Sequence, residues 1–213
     1  MDFGFIHQVI PLYEKAAILT LKAGLAGVVL SIALGLFCAV IRYWKIPVAK
    51  EIVKAYTELS RNTPLLIQLF FLYFAFPKMG IKLSSEQCGI IGLTFLGGSY
   101  MAETFRRVQL ESGRCIGLTE FQIVRFVILP QAFSVSIPGI CANTMFLIKE
   151  TSMFSAVALA DLMYIAKDLI GLYYKTEEAL FLLVISYFIL LLPITILSSF
   201  AERKLRYAQF GNA

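Results

Sequence analysis

The chain has 213 residues, 59% hydrophobic and only 15% charged, where an ordinary soluble domain is about half apolar and about a quarter charged. That excess is too large for a soluble core, and it excludes a water-exposed globular fold. The net charge of +5 needs no nucleic acid to explain it, because the basic residues gather on one side of a membrane topology.

Phe3, Phe5, Ile6, Val9 and Ile10 are spaced to line one side of a short helix before Pro11, which fits a segment lying on the outer membrane surface. His7 belongs to it as a solvated side chain with no second His or Cys nearby, so no metal site is expected. Asp2 stands where the basic region of a cleaved signal would be, so the first span is expected to stay in the mature protein. That span, 16–41, contains the uncharged run Ala23 to Ile41, 19 residues long. At about 1.5 Å per residue it crosses a hydrocarbon layer roughly 30 Å thick. Gly24, Gly27, Ser31 and Gly35 place small residues on one face of it, which predicts tight packing against another helix.

Ile46 to Ser60 mixes Lys50, Glu51, Lys54 and Glu58 with Ile52, Val53, Tyr56 and Leu59, the pattern of a helix at the cytoplasmic surface running up toward the membrane. Thr63 then offers a side-chain cap and Pro64 a first helical turn for a second span, 62–77. The third span, 84–105, is built around the uncharged run Gln87 to Ala102. The flanking Arg61, Lys78, Glu86 and Glu103 reach the interface or are covered by neighbouring helices. A fourth span, 126–149, carries Pro130 and Pro138, and a fifth, 179–201, carries Pro193. Proline bends or breaks a helix by removing a donor, yet is also common in ordinary spans, and the ordinary reading is favoured. Between them, Thr151 to Tyr174 is apolar but interrupted by Asp161, Lys167 and Asp168, and reads as an interfacial or re-entrant helix. The expected fold is an all-α membrane protein, a single domain over 1–213 with five transmembrane helices.

Five spans place the termini on opposite sides. Arg42, Lys45, Lys50, Lys54, Arg61, Arg106, Arg107, Arg114, Arg125, Arg203, Lys204 and Arg206, 12 of the 19 Lys and Arg residues, fall on one face. The positive-inside rule makes that face cytoplasmic, with the N-terminus outside and the C-terminus inside. Cys38, Cys88, Cys115 and Cys141 are scattered and suggest packing rather than disulfides or metal ligation.

The connection between spans three and four is the most informative stretch. Thr119 and Gln122 form a capping-box pattern that starts a helix near Glu120, and Gly117 ends a short one before it. Two short helices joined at a glycine make a compact knob presenting Ile116, Leu118 and Phe121, suited to a groove on a partner. Read from spacing alone, a well-packed loop fits equally well.

The residues there resemble the EAA motif of binding-protein-dependent ABC importers, a pattern of Glu-Ala-Ala, three variable residues, Gly, and further on a Leu-Pro. Glu111, Gly117, Ile128, Leu129 and Pro130 carry the match. Arg61-Asn62-Thr63-Pro64-Leu65-Leu66 and Lys149-Glu150-Thr151-Ser152 resemble segments of the polar amino-acid branch, so the similarity runs from about Leu12 to Leu205. Ser112 and Gly113 stand in place of the two alanines, and Asn62 in place of a glycine. The stretch between Arg106 and Glu111 is about seven residues shorter than that branch's, nearly two helical turns and about 10 Å of reach.

The resemblance implies a type I ABC importer-like fold whose coupling region, 111–125, seats Glu111, Gly113, Ile116, Gly117, Leu118, Phe121 and Pro130 against a separate cytoplasmic ATP-binding subunit. This chain has no phosphate-binding loop, so it is expected to be non-catalytic and without a cofactor of its own, the ATP and Mg²⁺ being bound by that partner. The remaining implied partners are a second permease chain, identical or homologous, an extracytoplasmic solute-binding protein, a polar amino acid, and the lipid of the bacterial cytoplasmic membrane.

Charged and amide groups held near apolar spans are expensive unless paired or functional, and Glu58, Arg61, Gln68, Glu103, Lys149 and Glu150 are such groups. Glu58 and Arg61, three apart, can pair on one helix face. Glu150, beside Thr151 and Ser152, is the better substrate-facing residue, its carboxylate meeting an ammonium, while Lys149 also suits a helix-end anchor. The expected substrate path is Arg61, Thr63, Gln68, Lys149, Glu150, Thr151 and Ser152. A five-span channel or a membrane receptor without an ATPase partner is the alternative, although no ring of like charge or repeated pore loop is visible.

Overall fold

The computed structural model describes residues 1–106 and 129–210, and every regular element among them is helical. The expected coupling residues Glu111, Gly113, Ile116, Gly117, Leu118 and Phe121 lie outside the described residues.

The first helix, α1 (Phe3–Tyr43), is 41 residues long and so extends over roughly 60 Å. Asp2 caps it, its Oδ1 accepting from the Phe5 N–H at 3.1 Å. The separate surface helix expected before Pro11 is not present, because α1 runs through Pro11 without a break. Proline removes one backbone donor, but Val9, Tyr13 and Ala16 on both sides of it are buried in one cluster with Leu162, Ala166 and Ala179. Tertiary packing therefore outweighs local propensity. The helix ends at Trp44 and Lys45, the latter in the left-handed region at φ 50°.

Helix α2 (Pro47–Asn62) begins with proline at its first position. Its buried face, Val53, Thr57 and Ser60, lies along α4 (Ser85–Arg106). Tyr56 Oη and Ser60 Oγ both donate to the Phe95 carbonyl, at 2.7 and 2.9 Å. Thr63 does not cap the next helix as its sequence position suggested. Its hydroxyl donates backward to the Leu59 carbonyl at 2.8 Å, closing α2, and α3 (Leu65–Phe70) starts behind Pro64 without a side-chain cap. A π-helical turn (Phe71–Ala75) and a 3-10 turn (Phe76–Met79) follow and end on Gly80 at φ 87°, a left-handed conformation that glycine adopts without strain. Ser84 and Gln87 form a reciprocal capping box at the start of α4, with bonds of 2.9 and 3.2 Å.

Helix α5 (Leu129–Glu150) contains Pro138 without ending there, and a 3-10 turn (Thr151–Val157) follows it. The interrupted apolar segment then forms α6 (Leu162–Tyr173), capped by the Asp161 carboxylate accepting from the Tyr164 N–H at 2.9 Å. At 12 residues, about 18 Å, α6 is too short to cross a bilayer. Helix α7 (Thr176–Phe210) passes through Pro193.

The centre of the bundle is the α1–α4 pair. A Cβ placed on Gly27 would lie 2.6 Å from Leu93 Cδ2, and one on Gly35 would lie 2.8 Å from the Ala102 backbone nitrogen. The small face of α1 is thus where the two backbones meet. Ser31 bridges the pair, its hydroxyl shared between the Gly27 and Leu93 carbonyls at 2.7 and 3.2 Å. Around this contact pack Leu65, Leu69, Leu147, Ile148, Phe154 and Val157, all nearly inaccessible.

The outer surface is the reverse of a soluble protein's. Helix α7 exposes Val184, Phe188, Ile189, Ile196, Leu197 and Phe200, an apolar face that water would not tolerate and lipid solvates. Two described helices, Phe3–Tyr43 and Thr176–Arg203, are long and apolar enough to cross a membrane, with mean hydropathies of 2.5 and 2.8, and Leu65–Met79 is a shorter apolar one.

The start of α1 is tied to the α6–α7 turn. Lys175 Nζ lies 3.1 Å from Asp2 Oδ2, the Asp2 N–H donates to Glu178 Oε1 at 2.8 Å, and Tyr13 Oη donates to the Ala179 carbonyl at 2.7 Å. The Phe5 N–H, and next the Lys175 ammonium, hold the Asp2 carboxyl below its ordinary value, and the Asp2 N–H does the same for Glu178. Carboxyls depressed in the folded state contribute stability above the ordinary carboxylate range and lose it as pH falls through their depressed values. The protection of the Phe5 amide, the slowing of its exchange below the intrinsic rate at each pH, is therefore expected to fall on acidification from about pH 7 to about pH 3, in lipid nanodiscs. An exchange rate that follows only the intrinsic pH dependence would show that this tie carries no stability.

Candidate functional site

Three helices end or turn around one polar cavity. On α2, residues 54, 58 and 61 fall on one face by helical spacing, and on α4 residues 100 and 103 do the same. With Arg42 at the end of α1, Thr57 and Asn62, these side chains line a cavity of about 600 Å³, within the roughly 300–1,000 Å³ range of small-molecule sites.

The charges in it are arranged unequally. Arg42 is engaged twice, its Nη1 3.8 Å from Glu103 Oε2 and its Nη2 donating to Thr57 Oγ1 at 3.1 Å. Thr57 is fixed in turn, its hydroxyl within 2.9 Å of the Val53 and Lys54 carbonyls. Glu58 and Arg61, which their spacing would pair, form no ion pair with each other. The Arg61 guanidinium lies instead over the Tyr100 ring, 5.5 Å from its centroid, a cation–π position. The Asn62 amide donates to the Glu58 carbonyl at 2.7 Å and closes the end of α2.

A second cavity, about 490 Å³, lies on the other side of the α2–α3 joint and is apolar, with Ile67, Phe71, Ile91 and Phe95 in its walls. Gln68 borders it. Its amide nitrogen donates to the Ser60 and Thr63 carbonyls at 3.1 and 2.9 Å, bracing the joint, while its Oε1 is buried without a partner among the described residues.

The expected path residues are therefore dispersed. Arg61 is in the polar cavity, while Thr63 and Gln68 hold the α2–α3 joint and border the apolar one. Lys149 and Glu150 end α5, and Glu150 is half-buried. Thr151 is buried where α5 meets the following turn, its hydroxyl donating to the Ile148 carbonyl at 2.6 Å, and Ser152 is in that turn. None of these last four is among the described residues lining the polar cavity. Pro130 is in the first turn of α5. The sequence reading missed Arg42, Lys54, Thr57 and Tyr100 as site residues. The spacing of 54, 57, 58 and 61 was available as a signal, but Lys54 entered only as a charge that orients the chain, and Arg61 was placed on the path without the neighbours that share its helix face. Among the described residues no group of three or more His, Cys, Asp or Glu side chains is placed to hold a metal ion.

Comparison with known proteins bears on what such a bundle does. Residues 31–207 match the family described as the binding-protein-dependent transport system inner membrane component. The chain is 31% identical to the probable amino-acid ABC transporter permease protein PatM of Vibrio harveyi, over 97% of each chain. It is 32% identical to the probable glutamine ABC transporter permease protein GlnP of Bacillus subtilis, over 80% of this chain and 83% of that one. It is 25% identical to the glutamine transport system permease protein GlnP of Escherichia coli K12, over 96% and 98%. Among solved structures, an amino acid ABC transporter with histidines superimposes with a TM-score of 0.88 at 28% identity, over 96% of this chain and 99% of that one. The fold is shared by the inward-facing MetNI methionine ABC transporter, with a TM-score of 0.76 at 22% identity, over 93% and 98%.

Proposed function

The chain belongs to the family of binding-protein-dependent transport system inner membrane components, and from that premise we propose that it is the membrane-spanning permease of an ATP-driven importer of polar amino acids. One observation carries the substrate class: relatives with amino-acid and glutamine permease names match this chain from end to end, and the bundle superimposes on an amino acid transporter at 0.88.

The finer reading follows the topology. Five spans cross the bacterial cytoplasmic membrane, 16–41, 62–77, 84–105, 126–149 and 179–201, with the N-terminus outside and the C-terminus in the cytoplasm. The concentration of Lys and Arg at the α1–α2 corner and beyond the end of α4 supports that direction. Region 111–125, with Glu111, Gly113, Ile116, Gly117, Leu118, Phe121 and Pro130, is the contact for a cytoplasmic subunit that binds ATP and Mg²⁺. A second permease chain completes the path, and a solute-binding protein delivers the amino acid from outside. Along the path, Thr63, Gln68 and Thr151 use donors to hold backbone in place. Arg61 and Glu150, with Lys149 and Ser152, are left as the groups that meet substrate.

Reconstitution into proteoliposomes with the cognate ATP-binding subunit and solute-binding protein tests this reading. Labelled glutamine, histidine or arginine is expected to accumulate uphill only when ATP is inside the compartment that holds the ATPase. Accumulation without ATP would mean a channel, and no uptake of any of the three would remove the substrate class. In the same assay Glu150→Gln is expected to slow uptake about tenfold, the effect of one charge-assisted contact. An unchanged rate and substrate range would take Glu150 off the path.

A further inference from the structure

We propose that the polar cavity between α1, α2 and α4 is a binding station for the free amino acid, with the Arg61 guanidinium taking the α-carboxylate and the Glu58 carboxylate taking the α-ammonium. The inference rests on the importer reading and deepens it by placing the substrate at particular side chains.

Opposite charges one turn apart on a helix surface are close enough to pair, their Cβ atoms being only about 5–6 Å apart. Glu58 and Arg61 do not. Arg61 is drawn over the Tyr100 ring on the neighbouring helix, and the Glu58 carboxylate has neither an ion pair nor a hydrogen bond among the described residues. The other charged pair of the cavity is already engaged, Arg42 with Glu103 and Thr57. The Glu58 carboxylate and two cations, Arg61 and Lys54, are thus left facing one cavity of about 600 Å³. A ligand that is only a cation meets repulsion from Arg61 and Lys54, and one that is only an anion leaves the Glu58 carboxylate without a counter-charge. A zwitterion satisfies both, and a guanidinium is the side chain best shaped to take a carboxylate on two parallel bonds. The cavity is at the end of the bundle where the basic residues collect, so on the proposed orientation it is the last station before release and needs no external binding protein to fill it.

The test is equilibrium binding of labelled histidine and glutamine to the permease–ATPase complex in nanodiscs, without the solute-binding protein, beside ATP-driven uptake by the same complex in proteoliposomes with it. Saturable binding is expected, weakened about tenfold to a hundredfold by Glu58→Gln or Arg61→Gln. Lys50→Gln is expected to leave it unchanged, because Lys50 is exposed beside Glu51 at 3.7 Å. Histamine, which lacks the carboxylate, is expected to bind the unaltered complex as weakly as histidine binds Arg61→Gln, an arm that does not depend on how well any variant assembles. Histamine binding as tightly as histidine, or both variants binding histidine normally, overturns the station. If uptake persists in that case, the importer reading survives it. Absence of uptake by the unaltered complex overturns both.

Discussion

Gly35→Leu is expected to abolish folded permease in the membrane, and Gly35→Ala to lower its thermal midpoint by several degrees, while Gly171→Ala raises it slightly. At Gly35 an added Cβ falls on Met101 Cβ and within 2.8 and 2.9 Å of the Ala102 nitrogen and the Met101 carbonyl carbon. Two of these obstacles are backbone atoms and cannot rotate away, so α1 and α4 must move apart. Gly27 offers the contrast, where the nearest obstacle, Leu93 Cδ2 at 2.6 Å, is the tip of a side chain with other rotamers. Separation is expensive in lipid, where no hydrophobic effect holds two apolar helices together and close dispersion contact is most of the attraction. It would also stretch the Ser31 hydroxyl away from the Leu93 carbonyl across the pair. Overpacking by one methyl costs about 1–3 kcal/mol, and each kcal/mol moves the midpoint by about 2–4 °C for a chain of this size. Gly171 is in α6 with nothing within 4 Å of an added Cβ, so alanine there adds only helix propensity, up to about 1 kcal/mol. Calorimetry in detergent or nanodiscs reads all three. A Gly35→Leu protein that melts and transports normally would show that the two helices are not held at this distance.

What could be read from the sequence was what local chemistry determines. The small residues of α1 sit at helical spacing, so the face that meets α4 was legible, as was the apolar surface of α7. Residues with two local options were harder. Thr63 offers its hydroxyl forward as a cap or backward to the carbonyl four residues earlier. Pro64 forces it into the extended region, at φ −114° and ψ 123°, and there the hydroxyl reaches Leu59. Asp161 read as a charge interrupting an apolar run, but it is the cap that starts α6, an ambiguity inherent to aspartate. Pro11 predicted an end that the packing of Val9 and Tyr13 overrides. Least legible was the polar cavity. The expected Glu58 and Arg61 pair is broken by Tyr100, a partner on another helix that no local spacing brings near, and Arg42 and Glu103 join only once α1 and α4 are packed.

The other large effect is expected at Gly117, where Gly117→Asp should leave the chain inserted and assembled while ATP hydrolysis continues and uptake falls to background. Position 117 is outside all five proposed spans, so the substitution places no charge in lipid and changes none of the helix contacts described above. On the proposed coupling role, its consequence falls on the contact with the ATP-binding subunit. The resemblance places a close backbone approach there, which glycine permits and a side chain obstructs. A carboxylate buried in that contact without a partner is penalised by several kcal/mol, enough to reduce productive engagement more than a hundredfold. Ser112→Ala, which moves the motif toward the family's alanine, is the matched control and is expected to transport normally. Hydrolysis and uptake measured together on the same proteoliposomes separate the outcomes. Coupled loss of both would indicate that Gly117→Asp prevents assembly, and normal uptake would remove region 111–125 from the coupling contact.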